Sequence, residues 1–170
     1  MRWGRSEIDK VAEESAAADY EAFEAIGLEA IENAAVLDMG CFDGFNTVLK
    51  FAPYENISTV VGIDPETEAL DLAGQHTTDH RFTWIRSSAE EFDAPSSSFD
   101  VVYLSHVFQH VRDKEAVAGN AFRLLKPGGY IVIKTFDDSC KLSYPDPNHV
   151  MKRLFNLYET NILPHTEHTR

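Results

Sequence analysis

The stretch Ala35-Val36-Leu37-Asp38-Met39-Gly40-Cys41-Phe42-Asp43-Gly44-Phe45-Asn46-Thr47 constrains the fold more than any other. An apolar run ends in an acid, two glycines bracket three residues, and a helix-compatible segment follows. That order predicts a buried strand, a tight turn and a helix start. Gly40 and Gly44 suit a turn that needs unusual backbone angles, or one that lets a ligand lie against the main chain. Asp38 is the telling residue, because an acid at the end of a buried strand is costly unless it meets a donor or a cation. A helix N-terminus beside a glycine turn ordinarily attracts anions. Here Asp38 and Asp43 set two carboxylates at its mouth, which repel a pyrophosphate and favour a ligand carrying positive charge.

The rest of the chain repeats the alternation. A helix from about Phe45 to Ala52 ends at Pro53, and the next apolar run, Thr59 to Ile63, ends at Asp64-Pro65. Strand, helix and strand in close succession predict a βαβ unit and a parallel sheet with a right-handed crossover. Asp64 follows Gly44 by about twenty residues, the spacing at which a dinucleotide-type fold sets an acid on ribose hydroxyls. The same side chain can cap the helix that Pro65 and Glu66 begin. That helix runs to Ala73, and Phe82–Ile85 and Phe99–Leu104 read as the third and fourth strands. Asp113 caps a helix with Val117, Ala121, Phe122 and Leu125 as its apolar side. It stops at Lys126-Pro127-Gly128-Gly129 before a fifth strand, Tyr130–Phe136. An N-terminal helix over residues 7–26 has an apolar face (Ile8, Val11, Ala12, Ala22, Phe23, Ile26) interrupted by Ser15 and Asp19. A last helix is predicted from about His149 to Ile162.

Four passages resemble the class I S-adenosylmethionine-dependent methyltransferases of small-molecule type. Asp38, Gly40, Cys41 and Gly44 match that family's D-x-G-x-G-x-G, with Phe42 in place of the middle glycine. Ser87 to Phe92, Phe99 to Val111 and Arg123 to Gly129 match three further motifs, so that the likeness covers about residues 34 to 136. The resemblance implies a Rossmann-like methyltransferase fold: α/β, doubly wound, with a mostly parallel sheet. It implies S-adenosyl-L-methionine as cofactor and S-adenosyl-L-homocysteine as product. Asp64 and Pro65 would border the ribose. Ser88 (where an Asp is usual), Ala89 and Glu90 would border the adenine. Leu104, Ser105 and His106 would face the methionine half. N-terminal helices in this family often cover the cofactor, so Tyr20 or Phe23 would either line the pocket or, on the plainer reading, pack as core. The family's sheet has seven strands and five are visible here, so the final strand pair is missing and the chain reads as a truncated product or a minimal variant.

His106 and His110 sit four apart, one turn if the segment is helical. Neutral imidazole can take a proton at cell pH, which makes them the candidates for a general base, beside a capping or packing role. No Glu lies between them in the zinc-protease pattern, so no metal is expected. The pair Asp137 and Asp138 reads as solvated or substrate-facing.

Composition bounds the partners. A formal charge of -13 argues against a nucleic-acid backbone or an anionic membrane as the main partner. Cys41 and Cys140 are too few for a disulfide framework and read as reduced thiols. No apolar run approaches membrane length and the acidic N-terminus is no signal peptide, so a soluble, cytoplasmic protein is expected. The expected organisation is a cap helix or helices over 1–33, an S-adenosylmethionine-binding core over 34–136, and a loop and helix over 137–170, all in one domain. The expected function is methyl transfer to a small-molecule acceptor. Its rivals are a non-catalytic module that binds the same cofactor and, with less support, an NAD-dependent oxidoreductase; oligomeric state stays open.

Overall fold

Five apolar runs form five parallel strands. The computed structural model describes residues 16–135 and Arg153. The strands are β1 (Ala34–Met39), β2 (Ile57–Asp64), β3 (Phe82–Arg86), β4 (Phe99–Ser105) and β5 (Leu125–Lys134). Between them lie α2 (Phe45–Phe51), α3 (Thr67–Ala73) and α4 (Lys114–Leu124). A helix over residues 16–25, here α1, precedes β1. The sheet order is β3-β2-β1-β4-β5, with every pairing parallel. The chain therefore winds outward from β1 in one direction, then returns to β1's other side and winds the opposite way. Between the tips of β1 and β4 lies the switch point at which such sheets hold ligands.

Alternate side chains leave opposite faces of each strand, and the two cores follow that period. Val36, Val60, Val101 and Tyr103 meet Phe23 of α1 and Phe51 of α2 on one face. Leu37, Met39, Val102 and Leu104 meet Val117, Ala121 and Leu124 of α4 on the other. Burial on both faces explains why the strands read as continuous apolar runs rather than alternating ones.

Two local expectations change, and one open point is settled. Phe122 is 75% exposed, because Val117, Ala121 and Leu124 already complete one side of α4 and Phe122 falls a third of a turn away. The stop at Lys126–Gly129 lies inside β5 as an irregularity: Phe99 pairs with Leu125, but Val101 pairs with Tyr130. Residues 106–111 are not helical. His106 has φ 57, outside the helical region, and only a turn at 108–110 follows. Of the helix expected over 149–162 only Arg153 is described, and it is helical; Asp137, Asp138 and Cys140 lie outside the described residues, as do residues 7–15 of the first helix.

The chain ends of α2 are held from a distance. Arg81 donates to the carbonyls of Ala52, Tyr54 and Ile57 while its guanidinium pairs with Asp79 at 2.6 Å. A helix C-terminus leaves carbonyls without intrahelical partners, and one side chain from the start of β3 satisfies those around this end.

Candidate functional site

Five amides of the turn after β1 and the start of α2 donate within the protein. Gly40 and Cys41 both donate to the Ile63 carbonyl, at 2.8 and 2.9 Å, and Gly44 donates to Cys41 at 3.0 Å. Phe42 donates to Oδ2 of Asp64 at 3.0 Å, and Phe45 to Oδ1 of Asp43 at 3.2 Å. A phosphate-binding turn aims such groups at its ligand; these five are spent on the protein. Gly40, with φ 83, could carry no side chain, since a Cβ there would stand 2.5 Å from Val107 Cγ2. Gly44, with φ 71, would meet Trp84 and Ala73 below 3.0 Å.

The two strand-tip aspartates take different parts. Asp38, 4% exposed, is turned toward α2 and accepts from the Thr47 hydroxyl at 2.6 Å. Burial raises its pKa to about 6, against the pull of the Thr47 hydrogen bond and the Lys50 charge. With so little surface it anchors the turn to α2 from below. Asp64 ends β2 and is 9% exposed. Its Oδ2 accepts from Phe42 and its Oδ1 from the Glu66 amide at 2.9 Å, so it ties the glycine turn to the start of α3. Each carboxylate oxygen has a second lone pair, and these suit vicinal hydroxyls. Pro65 beside it is exposed.

The remaining expected residues divide likewise. Cys41 is buried beneath the turn, and burial pushes its thiol up. Leu104, 1% exposed, packs its side chain in the core against α4. Ser105 ends β4 and is half-buried. Ser88 Oγ accepts from the Glu91 amide at 3.2 Å, Ala89 is buried, and Glu90 is half-buried. Asn120 of α4 donates to the carbonyls of Ala89 and Phe92, both at 2.9 Å, which fixes this loop beside the strand tips. His106 is half-buried and its amide donates to the Lys134 carbonyl at 2.7 Å. Its pKa is lowered by burial first, then by Lys134 and Lys50. His110 is exposed, its Nε2 3.1 Å from the Gln109 amide nitrogen. Tyr20 donates to the Leu49 carbonyl, and Phe23 is buried between Phe51 and Tyr103, so both pack α1.

A buried polar network, unseen in the sequence, underlies the site. Lys50 of α2 donates to Tyr103 Oη at 2.8 Å, and Tyr103 donates to Asp19 of α1 at 2.7 Å. Asp19 also meets Lys50 at 3.3 Å and Lys134 of β5 at 3.0 Å. The one early signal was the break that Asp19 makes in an apolar helical face; its partners, 31 and 115 positions away, left none. Among the described residues no group of three or more His, Cys, Asp or Glu is placed to hold a metal. None of their helices is long and apolar enough to cross a membrane.

A parallel sheet wound both ways from β1, with a glycine turn at the tip of β1 and a carboxylate at the tip of β2, has the architecture of a Rossmann-like methyltransferase core. The sequence model of the methyltransferase-domain family matches residues 37–133, and the chain belongs to that family, the class I S-adenosylmethionine-dependent methyltransferases. It is 32% identical over 120 residues to a ubiquinone biosynthesis O-methyltransferase of Paracidovorax citrulli, covering 68% of this chain and 49% of that protein. It is 31% identical over 130 residues to phosphoethanolamine N-methyltransferase 3 of Arabidopsis thaliana, covering 73% and 26%. The fold resembles an S-adenosylmethionine dependent methyltransferase from Mesorhizobium loti, with TM-score 0.57, 24% identity, and 68% and 53% coverage. The chain spans about half the length, 49%, 45% and 44%, of the first curated relatives it matches.

Proposed function

We propose that this chain is the cofactor-binding core of an enzyme that transfers a methyl group from S-adenosylmethionine to a small-molecule acceptor. The observation that carries the reading is the pairing of the Asp64 carboxylate with a glycine turn that spends five of its amides on the protein. A ligand with ribose hydroxyls and no phosphate suits that pairing, and a dinucleotide does not. Bound S-adenosylmethionine supplies a methyl carbon on a cationic sulfur, open to in-line displacement by an acceptor lone pair. The protein's part is to seat the nucleoside, align the acceptor and keep water out.

Asp64 takes the ribose hydroxyls, with the Ser88–Glu90 loop beside the adenine. Ionised Asp38 and Asp64 keep the turn electronegative, which suits a sulfonium. His106, held neutral by burial and by two lysines, takes the acceptor's proton where the acceptor must lose one. His110, on the surface, has the weaker case for that role. The two curated relatives carry names that place transfer on oxygen and on nitrogen, so what they share with this chain bears on the donor side rather than on the acceptor atom. A net charge of -13 disfavours a nucleic-acid acceptor, and the same reading places the enzyme in the cytoplasm.

Calorimetric titration tests it. S-adenosylhomocysteine should bind saturably and NAD should not. Asp64→Ala should weaken S-adenosylhomocysteine by roughly 100-fold, as the loss of two charge-assisted hydrogen bonds. Binding of NAD alone would overturn the assignment. Label passing from methyl-labelled S-adenosylmethionine to a metabolite in a lysate would identify the acceptor.

A further inference from the structure

The residue that departs from the family's glycine pattern is also the one the turn holds at a cost. Phe42 adopts φ 52, a left-handed backbone that side-chain-bearing residues seldom take. The residue is 60% exposed and belongs to neither hydrophobic core. A glycine would remove both costs, and glycines already flank it two positions away on either side. The conformation is imposed from below: the Phe42 amide donates to Asp64 Oδ2, while Gly40 and Cys41 are both fixed on the Ile63 carbonyl. Backbone strain and exposed apolar surface at one position of a site point to use in the ligated state.

We propose that Phe42 is a specificity-determining contact, its ring forming an apolar wall against the adenosyl part of the cofactor. The inference rests on the S-adenosylmethionine reading above. The assignment to the nucleoside end follows from connectivity, because the Phe42 amide shares the carboxylate that takes the ribose hydroxyls. Covering an exposed ring removes apolar surface from water, and an aromatic face also offers a stacking surface to a base. Phe42 thereby supplies by side-chain contact what a glycine at this place supplies by close main-chain approach.

The test compares Phe42→Gly and Phe42→Asn with the parent by calorimetry, using two probes. S-adenosylhomocysteine carries the nucleoside and the amino acid; methylthioadenosine carries the nucleoside alone. Both variants tolerate the left-handed backbone, so both should keep or raise the melting temperature. Each should weaken both probes by a similar factor, roughly tenfold. Equal affinity of parent and variants overturns the proposal. So does a loss confined to S-adenosylhomocysteine, which would place the ring at the amino-acid end, or a loss in the Gly variant alone, which would assign the effect to turn stiffness. If the parent itself binds neither probe, it is the cofactor reading that fails.

Discussion

A carboxyl group walled in by strands and a helix holds its proton more tightly than one in water, and Asp38 shows the effect. Its folded pKa of about 6 stands above the ordinary 3.8. Between those values the folded chain binds more protons than the unfolded one, so this residue's contribution is full below the unfolded value and is lost as pH rises toward about 6. Asp38→Asn, which keeps an acceptor for Thr47, should remove that loss. The variant's unfolding free energy relative to the parent should rise by roughly 3 kcal/mol between about pH 4 and about pH 7. Urea titrations across the range measure it, and a difference that does not change with pH would refute it. The sequence marked Asp38 as important because its position is expensive. It did not show that the expense is met by Thr47, nine residues on in α2, because a Thr inside a helix carries no mark of its partner.

At the scale of elements, one indole holds a corner together. A Cβ at Gly62 of β2 would lie 2.5 Å from Trp84 Cζ3, and one at Gly44 2.7 Å from Trp84 Cη2. The ring thus fills the space left by two missing side chains, one in a strand and one at the start of α2. Gly62→Ala should cost roughly 1–3 kcal/mol by overpacking. Adding Trp84→Leu should recover part of that loss, and thermal unfolding of the two variants decides it; no recovery would mean the clash is elsewhere. Strands and helices were legible because burial on both sheet faces leaves apolar runs too long to mistake. Trp84 was legible only as strand, since nothing local says that a large ring faces two glycines. The path at His106 was illegible for a related reason: spacing could not say whether 106–110 is helical, and the chain leaves β4 through a left-handed residue whose amide donates to the Lys134 carbonyl.

Across the whole molecule, Asp19 joins α1 to α2, β4 and β5 through two lysines and a tyrosine. Removing one member of a buried charge set leaves the others without compensation, which costs far more than the set contributes when complete. Asp19→Ala should therefore destabilise by roughly 3–5 kcal/mol, with Lys50 left buried without its ion-pair partner. Asp19→Leu combined with Lys50→Met should be less damaging than Asp19→Ala alone. Chemical unfolding compares them, and additive losses would show that the groups act separately.

The position of β1 governs how the chain must assemble. Its partner β2 follows closely, but its other partner pairs Asp38 with Tyr103, far down the chain. A ribosome releasing this polypeptide delivers three strands first, and the inner edge at Val36–Met39 stays open until Val101–Leu104 emerge. An uncovered edge of that kind recruits whatever strand is nearest. Synthesis of this protein thus passes through a half-sheet with one adhesive edge.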